Sequence, residues 1–179
     1  MITAYDFLVL DFIQDNIVNP ILTPILELFT RIGNSGLIWI LIGIGLLCFR
    51  KTRIMGFGLL ICLLIENTIC SHIIKPIIAR PRPYVQNPDI VMMIPKLNSY
   101  SFPSGHSASS FCSAVYIYGW NKKTGIIALA AAFLIAFSRL YFYMHFPTDV
   151  LCGSLLGILI GYLCAKGFKY LKFNSSSSR

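Results

Sequence analysis

The amino-acid sequence predicts an all-α integral membrane protein, a polytopic bundle of five to six membrane-spanning helices. Of its 179 residues, 56% are hydrophobic and only 12% are charged, and the mean hydropathy is +0.71. This composition is too apolar for a soluble globular domain. The apolar residues also form several runs long enough to cross, or nearly cross, a bilayer, and short basic loops separate them.

The N-terminal part has the least regular pattern. Residues 2–18 are apolar but contain three aspartates, and Asp11 and Asp15 lie four residues apart, on one face of a helix. This pattern favours an amphipathic helix at the membrane interface over a full span. Two apolar stretches follow, residues 21–32 and 37–49. The second either spans alone or forms one bent span with the first.

Four further spans are predicted in the rest of the chain. They cover residues 54–74, 105–120, 124–143 and 148–170. The last contains small residues at four-residue steps, a pattern that permits close helix packing: Gly153, Gly157 and Gly161. We therefore expect residues 1–173 to form a single membrane-embedded domain. Residues 174–179, rich in serine, are expected to be a disordered tail or a remnant of an expression tag.

Polar residues within the apolar runs are assigned structural roles. Glu66 and Asn67 lie at membrane depth, where they should face protein rather than lipid. Glu66 could act as a catalytic acid, but we favour a structural partner for a polar group on a neighbouring span. The six cysteines lack the spacing of a zinc site and all lie in apolar runs, so we expect packing roles and no disulfide.

The basic residues predict which side of the membrane each loop faces. The net charge of +8 could indicate nucleic acid, but most basic residues cluster in short loops between apolar runs. Such loops mark the cytoplasmic side, so we expect no nucleic-acid partner. The loop before Ser104 and the corner at residues 138–149 fall on the other side, so the polar cluster described next should face the extracytoplasmic side of a cell membrane. Basic residues on that side, such as Lys75 and Lys96, count against this topology unless some bind substrate.

The sequence Pro103-Ser104-Gly105-His106 is a candidate anion site. It follows a long proline-rich loop, a feature that is usually functional. Ser104 suits the N-cap of a helix that begins at Gly105, and a helix N-terminus binds anions through its unpaired N–H groups. Gly105 lets a ligand approach the backbone closely. His106 can donate or accept a proton near pH 7.

Residues from three other places in the chain are expected to join this stretch on one membrane face. They are Lys75, Arg82, Arg139, His145 and Asp149. Bringing cations together near an apolar boundary is costly unless an anion joins them, so this grouping predicts a phosphate site. Arginine supplies paired donors for phosphate oxygens and lysine supplies a point charge.

The same residues suit phosphoryl transfer. Asp149 is close enough in sequence to accept one N–H of His145, which leaves the other ring nitrogen free to attack phosphorus. His106 would protonate the leaving oxygen and then act as base for the water that hydrolyses the phosphohistidine. The non-bridging oxygens would be held by Lys75, Arg82, Arg139, the Ser104 hydroxyl and the Gly105 N–H. We expect no metal and no other cofactor, because the cations stabilise the developing charge.

These residues resemble the three signature motifs of the type 2 phosphatidic acid phosphatase (PAP2) superfamily in order and spacing. The motifs are Lys75 with Arg82-Pro83, Pro103-Ser104-Gly105-His106, and Ser138-Arg139 with His145 and Asp149. The superfamily also includes vanadium-dependent haloperoxidases, and the flanking spans resemble its membrane branch. The resemblance implies a PAP2/haloperoxidase-like helical core, metal-independent hydrolysis of a lipid phosphate, and the histidine roles given above.

The short chain resembles small bacterial members that dephosphorylate undecaprenyl diphosphate or phosphatidylglycerophosphate. Our first hypothesis is hydrolysis of undecaprenyl diphosphate to undecaprenyl phosphate, a step of cell wall biogenesis. Phosphatidylglycerophosphate or phosphatidate phosphatase is the alternative within the same class. A lipid or anion transporter that uses the basic pocket only for binding, and a vanadate-dependent oxidase, are alternatives of other classes. The expected partners are a membrane lipid phosphate and the bilayer, and the oligomeric state is left open.

Overall fold

The structure, a computed structural model, describes residues 2–177, with side chains described for residues 4–172. Every regular element in that part is helical, which confirms the all-α prediction. The main helices are α1 (Ile2–Asn16), α2 (Leu22–Ile32), α3 (Leu37–Leu47), α4 (Arg53–Asn67), α5 (Lys75–Ile78), α6 (Pro83–Gln86), α7 (Gly105–Trp120), α8 (Lys122–Tyr141) and α9 (Pro147–Ser177). A 3₁₀ turn (Asn34–Gly36) joins α2 to α3, and a π-helical segment (Thr68–Ile74) joins α4 to α5.

Long apolar helices make this a membrane protein. Within residues 2–177, three helical segments are long and apolar enough to cross a bilayer: Arg53–Gln86, Lys122–Tyr141 and Pro147–Lys172. Helices α2 and α3 pass the same test only as a pair, bent by 50°. Helix α3 has 11 residues, too few to cross a hydrocarbon core about 30 Å thick by itself. The expectation of five to six spans is therefore not confirmed.

Helix α7 lies at the centre of the bundle, between α8, α9 and α4. The small residues of α9 bring the backbones of α7 and α9 into contact. A Cβ added to Gly157 would lie 2.2 Å from the carbonyl oxygen of Ala108, and one added to Gly161 would lie 2.3 Å from that of Cys112. The predicted close-packing face of the last span is confirmed, and it fixes the position of α7.

Helix α1 packs against α8 and α9. Asp6 is only 2% exposed, and the Asp11 carboxylate accepts a hydrogen bond of 2.7 Å from the Tyr143 hydroxyl. These aspartates thus contact protein groups that the amphipathic pattern did not indicate. The location of α1 at the membrane interface stays a prediction.

The described cysteines are free thiols, and the predicted packing role holds for the buried ones, Cys62, Cys70 and Cys112. The sulfur atoms of Cys62 and Cys112 lie 3.0 Å apart where α4 meets α7. At the C-terminus, α9 is described to Ser177, so residues 174–177 of the expected tail are helical. Residues 178–179 lie outside the described part of the chain.

The contact between α7 and α9 predicts the effect of a larger side chain on α9. Gly157→Leu should force the two backbones apart and lower the apparent Tm in detergent by about 5–10 °C, because overpacking costs about 1–3 kcal/mol or more. Gly167→Leu on the same helix is the matched control, since an added Cβ there meets nothing within 4 Å. Equal melting temperatures for the two variants would contradict the close packing.

Candidate active site

A cleft of about 910 Å³ lies between α3, α4, the π-helical segment and the N-terminus of α7. One wall is apolar and includes Ile40, Leu60, Leu63 and Leu64. The other wall carries polar groups, among them five of the residues expected from the sequence: Lys75, Arg82, Gly105, His106 and His145. The remaining three, Ser104, Arg139 and Asp149, are buried and do not line the cleft. The structure therefore brings most of the candidate residues to one place.

The N-terminus of α7 forms as predicted. The helix begins at Gly105, and the Ser104 hydroxyl oxygen accepts hydrogen bonds from the Ser107 N–H at 3.4 Å and from the Ser107 hydroxyl at 2.9 Å. Ser104 is thus confirmed as the N-cap, and its hydroxyl is engaged within the helix end. A Cβ added to Gly105 would meet nothing within 4 Å, which leaves room for a ligand beside the backbone.

Two cations line the cleft and are held by backbone carbonyl groups. The Lys75 Nζ donates to the carbonyl oxygens of Tyr100 at 3.0 Å and Pro103 at 3.1 Å. The Arg82 guanidinium donates to the Ser99 carbonyl at 2.7 Å, to the Ser99 hydroxyl at 3.0 Å and to the Tyr100 carbonyl at 3.2 Å. The loop before α7 therefore positions both side chains, which accounts for its length and its ordered course.

Arg139 is a third cation, in the last turn of α8, and is 1% exposed. Its Nη1 donates to the hydroxyl of Thr30 on α2, and its Nε is buried without a hydrogen-bond partner. A buried charged donor is costly when it is left unpaired. The arrangement therefore favours an anion near Arg139. Thr30 was not identified from the sequence, because nothing in the apolar run of α2 marks it.

His145 lies between an arginine and a carboxylate. Its Nε2 is 3.2 Å from Nη1 of Arg82, which also donates to the Met144 carbonyl at 2.9 Å. Arginine can only donate, so Nε2 accepts this bond and the ring proton is on Nδ1. Arg82 thus holds the Nε2 lone pair before substrate binds, and Nε2 can attack an electrophile once this hydrogen bond is released.

The expected direct bond from His145 to Asp149 is not formed. The His145 Nδ1 is 3.7 Å from the Asp149 Oδ2, beyond hydrogen-bond distance. The hydroxyl of Ser101 lies beside both groups: it is 3.4 Å from Nδ1 and donates to Oδ2 at 2.5 Å. Ser101 thus connects the imidazole to the carboxylate. Ser101 was not predicted as a site residue, although it lies two residues before Pro103, where the candidate anion site begins.

Burial is the main influence on the pKa of His145. The ring is 1% exposed, and burial followed by the positive charges of Arg82, Arg139 and Lys75 holds its pKa well below the ordinary value of 6.5. His145 is therefore neutral at pH 7. A neutral imidazole has one ring nitrogen without a proton, and this is the form that can act as a nucleophile.

Asp149 is held from three sides. Its Oδ1 accepts from Arg80 at 2.6 Å, and its Oδ2 accepts from the Phe146 N–H at 3.0 Å as well as from Ser101. From its position two residues before Arg82, Arg80 would be expected to contact a second phosphate or a lipid headgroup. The structure instead places its guanidinium behind Asp149, where it does not line the cleft.

His106 faces the turn between α2 and α3. Its Nε2 is 2.9 Å from the Asn34 Oδ1, an oxygen that accepts the Nε2 proton when this nitrogen carries one. The turn can approach this closely because Gly33 packs against the His106 ring, where an added Cβ would lie 3.2 Å from Cδ2. Gly36, with φ +68°, adopts the left-handed conformation that glycine favours. Asn34 lies in the Gly-Asn-Ser-Gly break, which the sequence analysis treated only as a helix breaker.

Glu66 lines the cleft and is 3% exposed. Its Oε1 has no hydrogen-bond partner, so the structure supplies no polar partner for that oxygen from a neighbouring span. Within the described residues, no group of three or more His, Cys, Asp and Glu side chains could hold a metal ion. Independence from metals stays a prediction.

Comparisons with known proteins agree with the motif resemblance. Residues 53–173 match the family model described as PAP2 superfamily. The undecaprenyl-diphosphatase of Sulfolobus acidocaldarius is 33% identical over 127 residues, 70% of this chain and 61% of that protein. Phosphatidylglycerophosphatase B of Bacillus subtilis is 32% identical over 164 residues, 83% of this chain and 76% of that protein. The match thus spans less than two thirds of the first relative's length.

Two solved structures are similar over most of the chain. One is a transmembrane PAP2-type phosphatidylglycerolphosphate phosphatase from Bacillus subtilis, with a TM-score of 0.65, 28% identity and 94% of each chain covered. The other is LpxE from Aquifex aeolicus, with a TM-score of 0.69, 28% identity, and 87% of this chain and 92% of that chain covered. These similarities confirm the expected PAP2-like membrane core.

The geometry of the cleft predicts that it binds a phosphate mimic. Tungstate at about a hundredfold its Kd should raise the apparent Tm of the protein in detergent by about 5–10 °C, since such a ligand stabilises by about 2.7 kcal/mol. Lys75→Met removes a cation that lines the cleft and should abolish most of this rise. Lys96→Met, in the loop before α7 and outside the cleft lining, should retain it. A full rise in Lys75→Met would show that the anion binds elsewhere.

Proposed function

The chain belongs to the PAP2 superfamily of lipid phosphatases, and from that premise we propose that it hydrolyses undecaprenyl diphosphate to undecaprenyl phosphate and inorganic phosphate. The observation that carries the proposal is a neutral His145 whose unprotonated Nε2 faces a cleft lined by cations on one wall and by apolar side chains on the other. The cations suit a phosphate group, and the apolar wall suits the beginning of an isoprenoid chain.

In the first step, Nε2 of His145 attacks the terminal phosphorus and the bond from this phosphorus to the bridging oxygen breaks. Arg82, which donates to Nε2 at 3.2 Å before the reaction, would transfer this bond to a phosphate oxygen. His106, in its doubly protonated imidazolium form, would give its Nε2 proton to the leaving oxygen and become neutral. The products of this step are undecaprenyl phosphate and a phosphohistidine at residue 145.

In the second step, His106 takes a proton from water, and the hydroxide attacks the phosphohistidine. The bond from phosphorus to Nε2 breaks, which releases inorganic phosphate and restores the neutral ring. Charge on the phosphoryl oxygens would be stabilised by Lys75, Arg82, Arg139 and the N–H groups at the start of α7. The Ser104 hydroxyl is bonded to Ser107, so it would support this helix end rather than hold the phosphate directly.

Asp149 would stabilise the positive ring that forms when His145 bonds to phosphorus. Its carboxylate is fully buried and reaches Nδ1 through the Ser101 hydroxyl. A buried negative charge beside a developing positive one is a strong source of transition-state stabilisation. We further propose that the cleft opens to the extracytoplasmic side, since the basic loops between spans mark the opposite side as cytoplasmic.

Phosphatidylglycerophosphate is the second candidate substrate. The similarity to phosphatidylglycerophosphatase B covers 83% of this chain, more than the 70% covered by the undecaprenyl-diphosphatase. The apolar wall of the cleft would accept the glycerol backbone and acyl chains of such a lipid as well. A transporter that only binds its ligand has less support, because binding needs no pair of histidines with defined proton positions.

The proposed substrate order is tested with a panel of lipid phosphates in detergent micelles. The kcat/KM for undecaprenyl diphosphate should exceed those for phosphatidylglycerophosphate and phosphatidate by about tenfold or more, a difference of about 1.4 kcal/mol in transition-state binding. Phosphate release is measured by a colorimetric assay. A higher kcat/KM for phosphatidylglycerophosphate than for undecaprenyl diphosphate would make phosphatidylglycerophosphate the preferred substrate.

The nucleophile and the absence of a metal are tested in the same assay. His145→Ala should lower kcat by about a thousandfold or more, because it removes the attacking atom. His72→Ala, which changes an exposed histidine in the π-helical segment, is the matched control and should retain activity. Wild-type turnover should persist in excess EDTA. Loss of turnover in EDTA, or full activity of His145→Ala, would count against the mechanism.

A further inference from the structure

We propose that Asp6, on the N-terminal helix α1, is a positioning residue for His145 and acts through Arg80 and Asp149. This inference rests on the proposed role of His145 as nucleophile. Helix α1 lies outside residues 53–173, the part that the family model matches. The proposal therefore makes the N-terminal helix a component of the catalytic machinery of this chain rather than only a membrane-associated segment.

Arg80 connects two carboxylates that are distant in sequence. Its Nη1 donates to the Asp149 Oδ1 at 2.6 Å, and its Nη2 donates to the Asp6 Oδ2 at 2.7 Å. The guanidinium also lies over the Phe146 ring, 4.0 Å from its centroid. These contacts fix the plane of the guanidinium, so the position of Asp6 determines which edge of Arg80 faces Asp149.

Asp6 also holds the start of α9. Its Oδ1 accepts from the Thr148 N–H at 3.1 Å, and its Oδ2 accepts from the Thr148 hydroxyl at 2.7 Å. The Thr148 hydroxyl in turn accepts from the Arg80 Nη1 at 2.7 Å. Thr148 directly precedes Asp149, so Asp6 restrains the backbone that carries this carboxylate. Because Asp6 is only 2% exposed, its carboxylate makes its hydrogen bonds to protein groups rather than to water.

The net charge of the group explains why Arg80 is paired with two carboxylates, those of Asp6 and Asp149. Arg80 alone would neutralise the buried Asp149 and weaken its attraction for a positive ring. Because Arg80 is shared with Asp6, the three side chains together keep one net negative charge behind His145. This negative charge would stabilise the His145 ring when the ring bonds to phosphorus and becomes positively charged. Asp6 should therefore affect the reaction more than substrate binding, since it lies outside the cleft lining.

The test compares Asp6→Asn with Asp11→Asn. Both change an aspartate of α1, but Asp11 bonds only to Tyr143 among the contacts described and has no link to Asp149. Asp6→Asn should lower kcat for the lipid diphosphate by about tenfold or more and change KM by less than about threefold. The reason is that residues which orient a functional histidine through a hydrogen-bonded partner contribute about this much to activity. Asp11→Asn should keep wild-type kcat, and Asp6→Glu should recover part of the loss.

A second measurement does not depend on turnover. In ¹⁵N-histidine-labelled protein, the ring nitrogen resonances of His145, assigned with His145→Asn, should shift in Asp6→Asn and stay in place in Asp11→Asn. A wild-type kcat with unshifted resonances in Asp6→Asn would overturn the role of Asp6 and leave the proposed function standing. A wild type that releases no phosphate from any lipid would instead refute the proposed function, and the resonances would still decide whether Asp6 acts on His145.

Discussion

The burial of positive charge inside an apolar helical bundle is the constraint on which this structure depends. Arg139 is 1% exposed and Arg82 is 3% exposed, although each carries a charge that is costly to remove from water. Carbonyl and hydroxyl acceptors from the loop before α7 offset this cost for Arg82 and Lys75, and the Thr30 hydroxyl on α2 accepts from Arg139. The acceptors hold the guanidinium and ammonium groups in place before substrate binds, so little reorganisation is needed when a phosphate arrives.

The packing of α9 against α7 positions the residues of the site relative to one another. The glycine face of α9 brings α7 so close that their backbones touch, and the Ser104 N–H donates to the Asp149 carbonyl at 3.0 Å. The N-terminus of α7 and the first turn of α9 are therefore in direct backbone contact. His106 and the corner carrying His145 both adjoin this contact. The two histidines take their relative positions from the packing of small residues some distance from the chemistry.

The sequence predicted those parts of the site whose structure depends on residues close together in the chain. The N-cap at Ser104 and the close-packing glycines follow from short-range rules, and the motif spacing identified the residues that gather at the cleft. The parts that were missed depend on tertiary contacts. Asp6 and Thr148 are 142 positions apart, and Ser101 enters between His145 and Asp149 only because the long loop folds back. The expected count of five to six spans is not confirmed, because α7 has only 16 residues and α3 passes the spanning test only together with α2.

In the proposed reaction, the neutral ring of His145 forms a covalent bond to phosphorus. The most direct measurement is a rapid acid-free quench during turnover of a lipid diphosphate labelled with ³²P at its terminal phosphate, followed by peptide mapping. A base-stable, acid-labile label is expected on the peptide that contains His145, and none in His145→Asn. A label on another residue, or a wild type that turns over with no bound label at any quench time, would contradict this mechanism.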